Sequence, residues 1–181
     1  PLTHARLALD RGDAEDAVRL AQEALKLAPE LIAARRVLML AYGRLGQLDQ
    51  ARPHAEAIVR EHPDDVEALT VMAKVCLAGN RMAEAAPLLQ RVTAADPARG
   101  EAWGDLAVAL SFTGDLQGAI RAAEQALKLD PADSKARFTK AGCLLDMGRK
   151  QEAAAECRTL LKHDPGFAPA QKMLEFLQRK P

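Results

Sequence analysis

The side chains best suited to chemistry in this sequence are four histidines and three cysteines. An imidazole can transfer a proton or bind a metal ion, and a thiol can act as a nucleophile or a metal ligand, but each needs partner groups at a fixed spacing. The sequence contains no HExxH motif and no CxxC pair. His62 and His163 lie next to or near prolines, where a solvated loop is expected, and His4 and His54 are isolated on predicted helices. We therefore predict no metal site and no cofactor.

The cysteines, Cys76, Cys143 and Cys157, are odd in number, so at least one has no disulfide partner within the chain. We interpret them as small apolar helix residues with reduced thiols, in preference to a disulfide or a metal site. Reduced thiols favour the cytoplasm. The compartment stays open, because the chain begins at Pro1 without a methionine and in the middle of a repeat. We expect a piece of a longer protein, from which a signal or an anchor could have been removed.

Two clusters of acidic residues could be interpreted as paired catalytic carboxylates. They are Asp13, Glu15 and Asp16, and Asp64 with Asp65. Both lie at predicted helix starts, where a carboxylate caps free backbone N–H groups and interacts favourably with the helix dipole. We prefer this capping role. The sequence also lacks the GxGxxG, P-loop and GxSxG motifs. No catalytic residue is nominated, and the chain is predicted not to be an enzyme.

The composition narrows both the fold class and the partner. Lys+Arg and Asp+Glu are equal at 25 each, whereas a nucleic-acid-binding protein needs a basic surplus to neutralise phosphates. The sequence has no apolar run long enough to span a membrane. Hydrophobic residues make up 49% of the chain and aromatic residues only 3%, and the apolar content is mostly Ala and Leu, which favour helices. We predict an all-α protein that neither binds nucleic acid nor inserts into a membrane.

Three residue types, proline, alanine and glycine, recur along the chain every 34 residues, and they indicate the helices that position the other side chains. Glycine or asparagine permits a left-handed turn between two helices, proline ends the second helix, and alanine permits two helices to cross closely. Each period is therefore predicted to be one helical hairpin. The three ladders are Pro29, Pro63, Pro97, Pro131 and Pro165; Ala17, Ala51, Ala85, Ala119 and Ala153; and Gly12, Gly46, Gly114 and Gly148, with Asn80 at the missing glycine.

The apolar spacing within a period is helical. Trp103, Leu106, Ala107 and Leu110 fall at i, i+3, i+4 and i+7, which is the core stripe of a first helix. This pattern resembles the tetratricopeptide repeat (TPR), whose signature is a Trp–Leu–Gly–Tyr spacing followed by Ala, an aromatic residue and Pro. In the best copy the second half of the signature is Ala119, Ala123 and Pro131.

The resemblance covers the whole chain and implies an all-α, right-handed α-solenoid of antiparallel helix pairs. We predict a single array over residues 1–181. It comprises a truncated repeat at 1–31, full repeats at 32–65, 66–99, 100–133 and 134–167, and a capping helix at 168–181.

The resemblance also implies a function, which is that of an interaction scaffold binding a protein or peptide. In that family the first helix of each pair lines a concave groove. Here the first-helix positions outside the core stripe give an apolar strip flanked by charges, and we predict that it holds an extended or helical peptide. Packing against a neighbouring repeat is the alternative for each residue. The predicted lining residues are Arg36, Val37, Leu40, Arg44, Val71, Lys74, Asp105, Val108, Phe112, Lys135 and Phe138.

Two ligand-binding patterns of the family are absent. The carboxylate clamp of Lys, Asn, Asn, Lys and Arg would fall at Arg36, Leu40, Val71, Glu101 and Asp105, or one repeat later at Thr70, Lys74, Asp105, Lys135 and Thr139. The asparagine ladder is replaced by Val37, Val71, Asp105 and Thr139. Two other functions stay open. One is a recognition or assembly module of a larger enzyme, such as a glycosyl- or sulfotransferase. The other is self-assembly into a homo-oligomer through the terminal helices.

Overall fold

The computed structural model describes residues 1–178, and helices are the only regular elements within them. The prediction of an all-α helical-repeat fold is confirmed. The helices are α1 (Leu2–Asp10), α2 (Ala14–Leu27), α3 (Ile32–Arg44), α4 (Leu48–Glu61), α5 (Val66–Ala78), α6 (Met82–Ala95), α7 (Gly100–Phe112), α8 (Leu116–Leu129), α9 (Ser134–Asp146), α10 (Lys150–His163) and α11 (Ala168–Gln178).

The turns between helices use the left-handed backbone that the glycine ladder predicts. The φ angles are 87° at Gly12, 70° at Gly46, 87° at Gly114 and 77° at Gly148, and Asn80 replaces glycine with a φ of 55°. In this conformation the chain reverses over three residues, and its N–H groups reach carbonyls of the preceding helix. The ladder therefore marks the turns, including the one where glycine is absent.

The predicted acidic caps are also present. Oδ1 of Asp13 accepts a hydrogen bond from the backbone N–H of Asp16 at 3.1 Å, and Oδ1 of Asp65 accepts one from Ala68 at 2.9 Å. Each satisfies an N–H group that has no partner within its helix. The alanine ladder is buried throughout: Ala17, Ala51, Ala85, Ala119 and Ala153 are all 0% exposed.

The chain divides into two compact units. Unit 1 spans Pro1–Arg81 and contains α1 to α5. Each helix packs on the next, and the first helices α1, α3 and α5 also contact one another in order. The core includes Leu38, Met39 and Ile58, each no more than 1% exposed. Burying such side chains is the main source of stability in a fold of this kind, at roughly 1.5–3 kcal/mol each.

Unit 2 spans Met82–Pro181 and contains α6 to α11. Consecutive helices pack on each other, and the first helices α7 and α9 also make contact. Toward its carboxyl-terminal end, Cys157 and Leu160 of α10 pack with Ala170 of α11, and Phe138 and Phe167 cover them. Ala170 is the one buried residue of α11 among those described, so this helix leaves much of its surface open.

Candidate binding surface

The predicted apolar strip in unit 1 lies mostly in the core. Val37 and Val71 are 3% and 9% exposed and belong to the core cluster of the unit. Leu40 is partly buried and packs against the same cluster. Because these side chains already contact their neighbours, unit 1 offers little of the strip to a partner.

Arg36, predicted to flank the strip, is engaged within unit 1. It forms ion pairs with Asp65 at 2.5 Å and with Glu67 at 3.3 Å, both at the start of α5. Burial alone would raise the pKa of Asp65, but hydrogen bonds from Arg36 and from the backbone N–H of Ala68 outweigh burial and hold that pKa below its ordinary value. The pair therefore joins α3 to α5 and keeps Asp65 ionised.

The other two predicted cations of unit 1, Arg44 and Lys74, are not free of the fold either. The guanidinium of Arg44 on α3 donates a hydrogen bond to the carbonyl oxygen of Leu9. That carbonyl lies in the last turn of α1, where the helix dipole favours a cation. Lys74 on α5 is partly buried. Arg36 and Arg44 thus each link two helices of unit 1.

In unit 2 the structure brings Asp105 and Lys135 together. Asp105 on α7 is 6% exposed, and Nζ of Lys135 on α9 donates a hydrogen bond to its Oδ1. The side chain of Lys135 keeps 56% of its surface exposed. A buried carboxylate without a cation would be costly, so the pair stabilises the α7–α9 contact. Asp105 consequently positions two helices, and its charge is already neutralised.

The other three predicted residues of unit 2, Val108, Phe112 and Phe138, surround an open cavity between α7 and α9. Its volume is about 490 Å³. Phe112 is 70% exposed, which leaves a large apolar ring in contact with water. Phe138 rests against Phe167 edge to face, with ring centroids 5.3 Å apart. The remaining lining residues are Ser111, Thr139, Gly142, Cys143 and Asp146.

Three of these further lining residues follow from the period. Thr139, Gly142 and Asp146 lie 34 residues after Asp105, Val108 and Phe112, so the same positions of the next first helix complete the cavity. Ser111 and Cys143 carry no such signal. They belong to the cavity because of how closely α7 and α9 approach, which depends on packing at other positions.

A hydrogen bond that recurs with the period was not predicted. The side chains of Arg35, Trp103, Arg137 and Gln171 each donate to the carbonyl of the ladder proline six residues earlier, at 2.7 to 2.9 Å. At four of the five copies the position of the signature tryptophan therefore holds an N–H donor, although the residue type differs. The fifth copy has Leu69, which is buried in the core instead.

A network of ion pairs in unit 2 was also not predicted. Lys140 on α9 pairs with Glu156 at 2.9 Å and with Glu124 at 3.0 Å, and Arg137 pairs with Glu156 at 3.1 Å. Burial by itself lowers the pKa of Lys140, but its hydrogen bonds to the two carboxylates outweigh burial and raise that pKa. Arg137 and Lys140 stand where the signature places apolar residues, so the network replaces part of the core between α8, α9 and α10.

His54, which the sequence shows as isolated on a helix, has a defined environment in unit 1. Its ring stacks on Tyr42 with a centroid distance of 6.0 Å, and the Tyr42 hydroxyl accepts a hydrogen bond from Gln22 at 2.9 Å. Nδ1 of His54 is buried and has no hydrogen-bond partner within residues 1–178. Burial, and then the positive charge of Arg35, lower the pKa of His54, so the ring is neutral near pH 7.

Within residues 1–178, no group of three or more His, Cys, Asp or Glu side chains is arranged to hold a metal ion. Cys76, Cys143 and Cys157 are buried, and none of them forms a disulfide within the described part of the chain. Over that stretch of the chain, no helix combines the length and apolar character needed to cross a membrane.

Comparison with known proteins gives matches to two family profiles. Both are described as tetratricopeptide repeat, one over residues 36–100 and the other over residues 113–175. Protein FlbA of Caulobacter vibrioides is 32% identical over 114 residues, which are 63% of this chain and 19% of FlbA. The chain thus spans about a fifth of the length of this curated relative.

Solved structures are similar in fold over nearly the whole chain. YrrB, described as a TPR protein with an unusual peptide-binding site, has a TM-score of 0.85 at 17% identity, over 96% of this chain and 90% of its own. MamA of AMB-1 has a TM-score of 0.81 at 25% identity, over 90% of this chain and 96% of its own.

Proposed function

We propose that this chain, which belongs to the tetratricopeptide repeat family and is a protein-interaction scaffold, binds a peptide segment of its partner on the first-helix surface, chiefly in the α7–α9 cavity. The observation that carries the proposal is an open cavity of about 490 Å³ with Phe112, 70% exposed, at its rim. Cavities of this size suit ligand side chains, and exposed apolar surface marks interaction sites.

Unit 1 offers less surface to a peptide, because the residues of its part of the predicted strip already contact other residues of the unit. Val37 and Val71 are buried, and Arg36 and Arg44 bond to groups of the same unit. The likeness in fold to YrrB, a protein described as having a peptide-binding site, supports a peptide as the ligand. A segment lying across α7 and α9 would bury the ring of Phe112 and gain the apolar contact that the free chain lacks.

The test is a selection of peptides from a random library displayed on phage, followed by affinity measurement with the synthesised winners. Phe112→Asp places a charge at the rim of the cavity. Leu27→Asp is the matched control, because Leu27 is 78% exposed but lies at the end of α2. We expect Phe112→Asp to weaken binding at least about tenfold, because a charge replaces a large apolar ring that the peptide would bury, and Leu27→Asp to leave it unchanged.

The outcome that overturns the proposal is equal affinity of the selected peptides for both variants and the unmodified chain. Thermal melting of each variant must first show intact folding. Because both substituted side chains are exposed, neither change removes a core contact.

Self-association through α11 is a second candidate. Phe176 on this helix is 61% exposed, and Ala170 is its one buried residue among those described. A second copy covering this face would bury the ring. Light scattering over a concentration series tests it: a mass that rises with concentration and is restored to the monomer by Phe176→Asp supports the candidate, and a constant monomer mass excludes it.

Service as a recognition module of a longer enzyme, and the continuity of the repeats as a single array, both stay predictions. The 19% share of FlbA that the chain covers is in keeping with a module of a larger protein. The length and activity of the full protein would decide the point.

A further inference from the structure

Gly142, in the middle of α9, has no packing reason to be glycine. Glycine inside a helix costs about 1 kcal/mol relative to alanine. At Gly104 a close neighbour explains the residue, because an added Cβ would lie 3.2 Å from Oδ2 of Asp133. At Gly142 an added Cβ would meet nothing within 4 Å. Since Gly142 lines the α7–α9 cavity, the missing side chain widens this cavity for something outside the described part of the chain.

The polar groups that line the cavity can accept hydrogen bonds, and their hydroxyl protons are already committed. The Ser111 hydroxyl donates to the carbonyl of Val108 at 2.8 Å, and the Thr139 hydroxyl donates to the carbonyl of Lys135 at 2.9 Å. Each hydroxyl has one proton, so only its lone pairs remain for a ligand. A ligand that meets these oxygens must therefore donate.

Asp146 supplies the charge of the cavity. It is the one Asp, Glu, Lys or Arg residue among the described residues that line the cavity. It is exposed and has no ion pair or hydrogen bond from its side chain within residues 1–178. The acids of the neighbouring ion pairs differ from it, since Asp105 and Glu156 already have cationic partners. Asp146 thus gives this surface an unneutralised negative charge.

The rest of the lining is apolar and long enough to cover a side-chain stem. Val108 and Phe138 are partly buried in the wall and Phe112 stands at the rim. The face of a phenyl ring also attracts a cation. Apolar walls with acceptors and a carboxylate fit a side chain that is apolar along its length and cationic at its tip.

We infer that the α7–α9 cavity is a socket for one lysine or arginine side chain of the bound peptide, with its stem over Gly142 and its cationic head at Asp146. This inference rests on the proposed peptide-binding function and names the residue class that the surface recognises. An acidic peptide segment is excluded by the unpaired carboxylate, and a wholly apolar one would leave the acceptors without donors.

The experiment uses peptides selected from the random phage library on the whole chain. We expect the winners to share a Lys or Arg, and replacement of that residue by norleucine or citrulline to weaken binding about tenfold, the effect of one charged hydrogen bond. Asp146→Asn should cause a similar loss. The two changes together should cost little more than either alone, because both remove the same contact.

Matched control variants exist in unit 1. Asp10→Asn neutralises an exposed acid at the equivalent repeat position, and Gly43→Leu fills open space beside another first-helix glycine, which also has nothing within 4 Å. We expect both to leave affinity unchanged. Gly142→Leu, which fills the socket, should abolish binding of the selected peptides while the melting temperature is maintained.

The failures of the two proposals are distinguishable. If Gly142→Leu abolishes binding but Asp146→Asn and the norleucine or citrulline replacement do not, the cavity takes an apolar side chain, and the lysine or arginine inference is overturned while the peptide site stands. If the library yields no binder, or the binders tolerate both Gly142→Leu and Phe112→Asp, the proposed function fails and the socket fails with it.

Discussion

The first-helix surfaces of the two units carry similar residue types and use them differently. In unit 1 the valines of the strip are buried, and Arg36 and Arg44 hold first helices together. In unit 2 the ion pair of the buried Asp105 with the exposed Lys135 also joins two first helices. Beside this pair, however, α7 and α9 leave a cavity of about 490 Å³. A repeat surface is available to a partner only where its side chains are not needed between helices.

The reason for the difference lies partly in one position of the repeat. Leu40 fills this position on α3 and packs against the core of unit 1, whereas Gly142 holds it on α9, where an added Cβ would meet nothing within 4 Å. The loss of one side chain opens space that a larger residue would fill. At this position the surface of α3 in unit 1 is filled, whereas that of α9 in unit 2 is open.

The largest expected effect on stability comes from the ion pairs around Glu156 in unit 2, which are more buried than the pair of Arg36 and Glu67 in unit 1. Glu156→Gln in unit 2 removes the carboxylate shared by Arg137 and Lys140, whose side chains are 13% and 17% exposed. We expect the free energy of unfolding to fall by about 2–3 kcal/mol, because two partly buried cations lose a partner. Urea denaturation measures the change.

The control for that prediction is Glu67→Gln in unit 1. Glu67 is 48% exposed in its pair with Arg36, so its loss should cost no more than about 0.5 kcal/mol. Equal losses in the two variants would contradict the distinction between an exposed pair in unit 1 and a partly buried network in unit 2.

A smaller effect, of opposite sign, is expected at Gly142. Gly142→Ala should raise the free energy of unfolding by about 1 kcal/mol, because alanine favours the helix and its Cβ meets no neighbour. Gly43→Ala in unit 1 should do the same. Urea denaturation of both variants checks this, and a loss of stability at Gly142 would mean that the floor of the cavity is packed.

The sequence predicts the positions of the helices far better than the use of their surfaces. The turn at Asn80 and the caps at Asp13 and Asp65 follow from local backbone needs, which a single residue type reveals. The burial of Val37 and the openness at Phe112 depend on how closely neighbouring first helices approach. That distance is set by several side chains together, so no single position signals it.

The ion pairs around Lys140 also depend on packing that no single position of the sequence signals. The ion network around Lys140 places charge at a position where the repeat signature expects an apolar residue, and its partners come from α8 and α10. In the sequence, Glu124 and Glu156 look like ordinary exposed helix residues. Only the packing of three helices shows that they meet.

The smallest expected effect concerns His54 in unit 1. Its lowered pKa means that the folded state binds a proton less readily than the unfolded state. Its contribution to stability is therefore complete above the ordinary histidine pKa of about 6.5 and declines as the pH falls toward the folded pKa. Between about pH 7.5 and pH 5, we expect the melting temperature of the unmodified chain to fall more than that of the His54→Phe variant, which keeps a ring beside Tyr42. Identical pH profiles would contradict this.

The central claim is that unit 2, through α7 and α9, is the partner-binding surface. Titration of a library-selected peptide into the ¹⁵N-labelled chain, followed by amide chemical shifts, tests it most directly. We expect the largest shifts at Val108, Phe112 and Gly142, with α3 of unit 1 little changed. Largest shifts at Leu40 and Arg44 instead would contradict it.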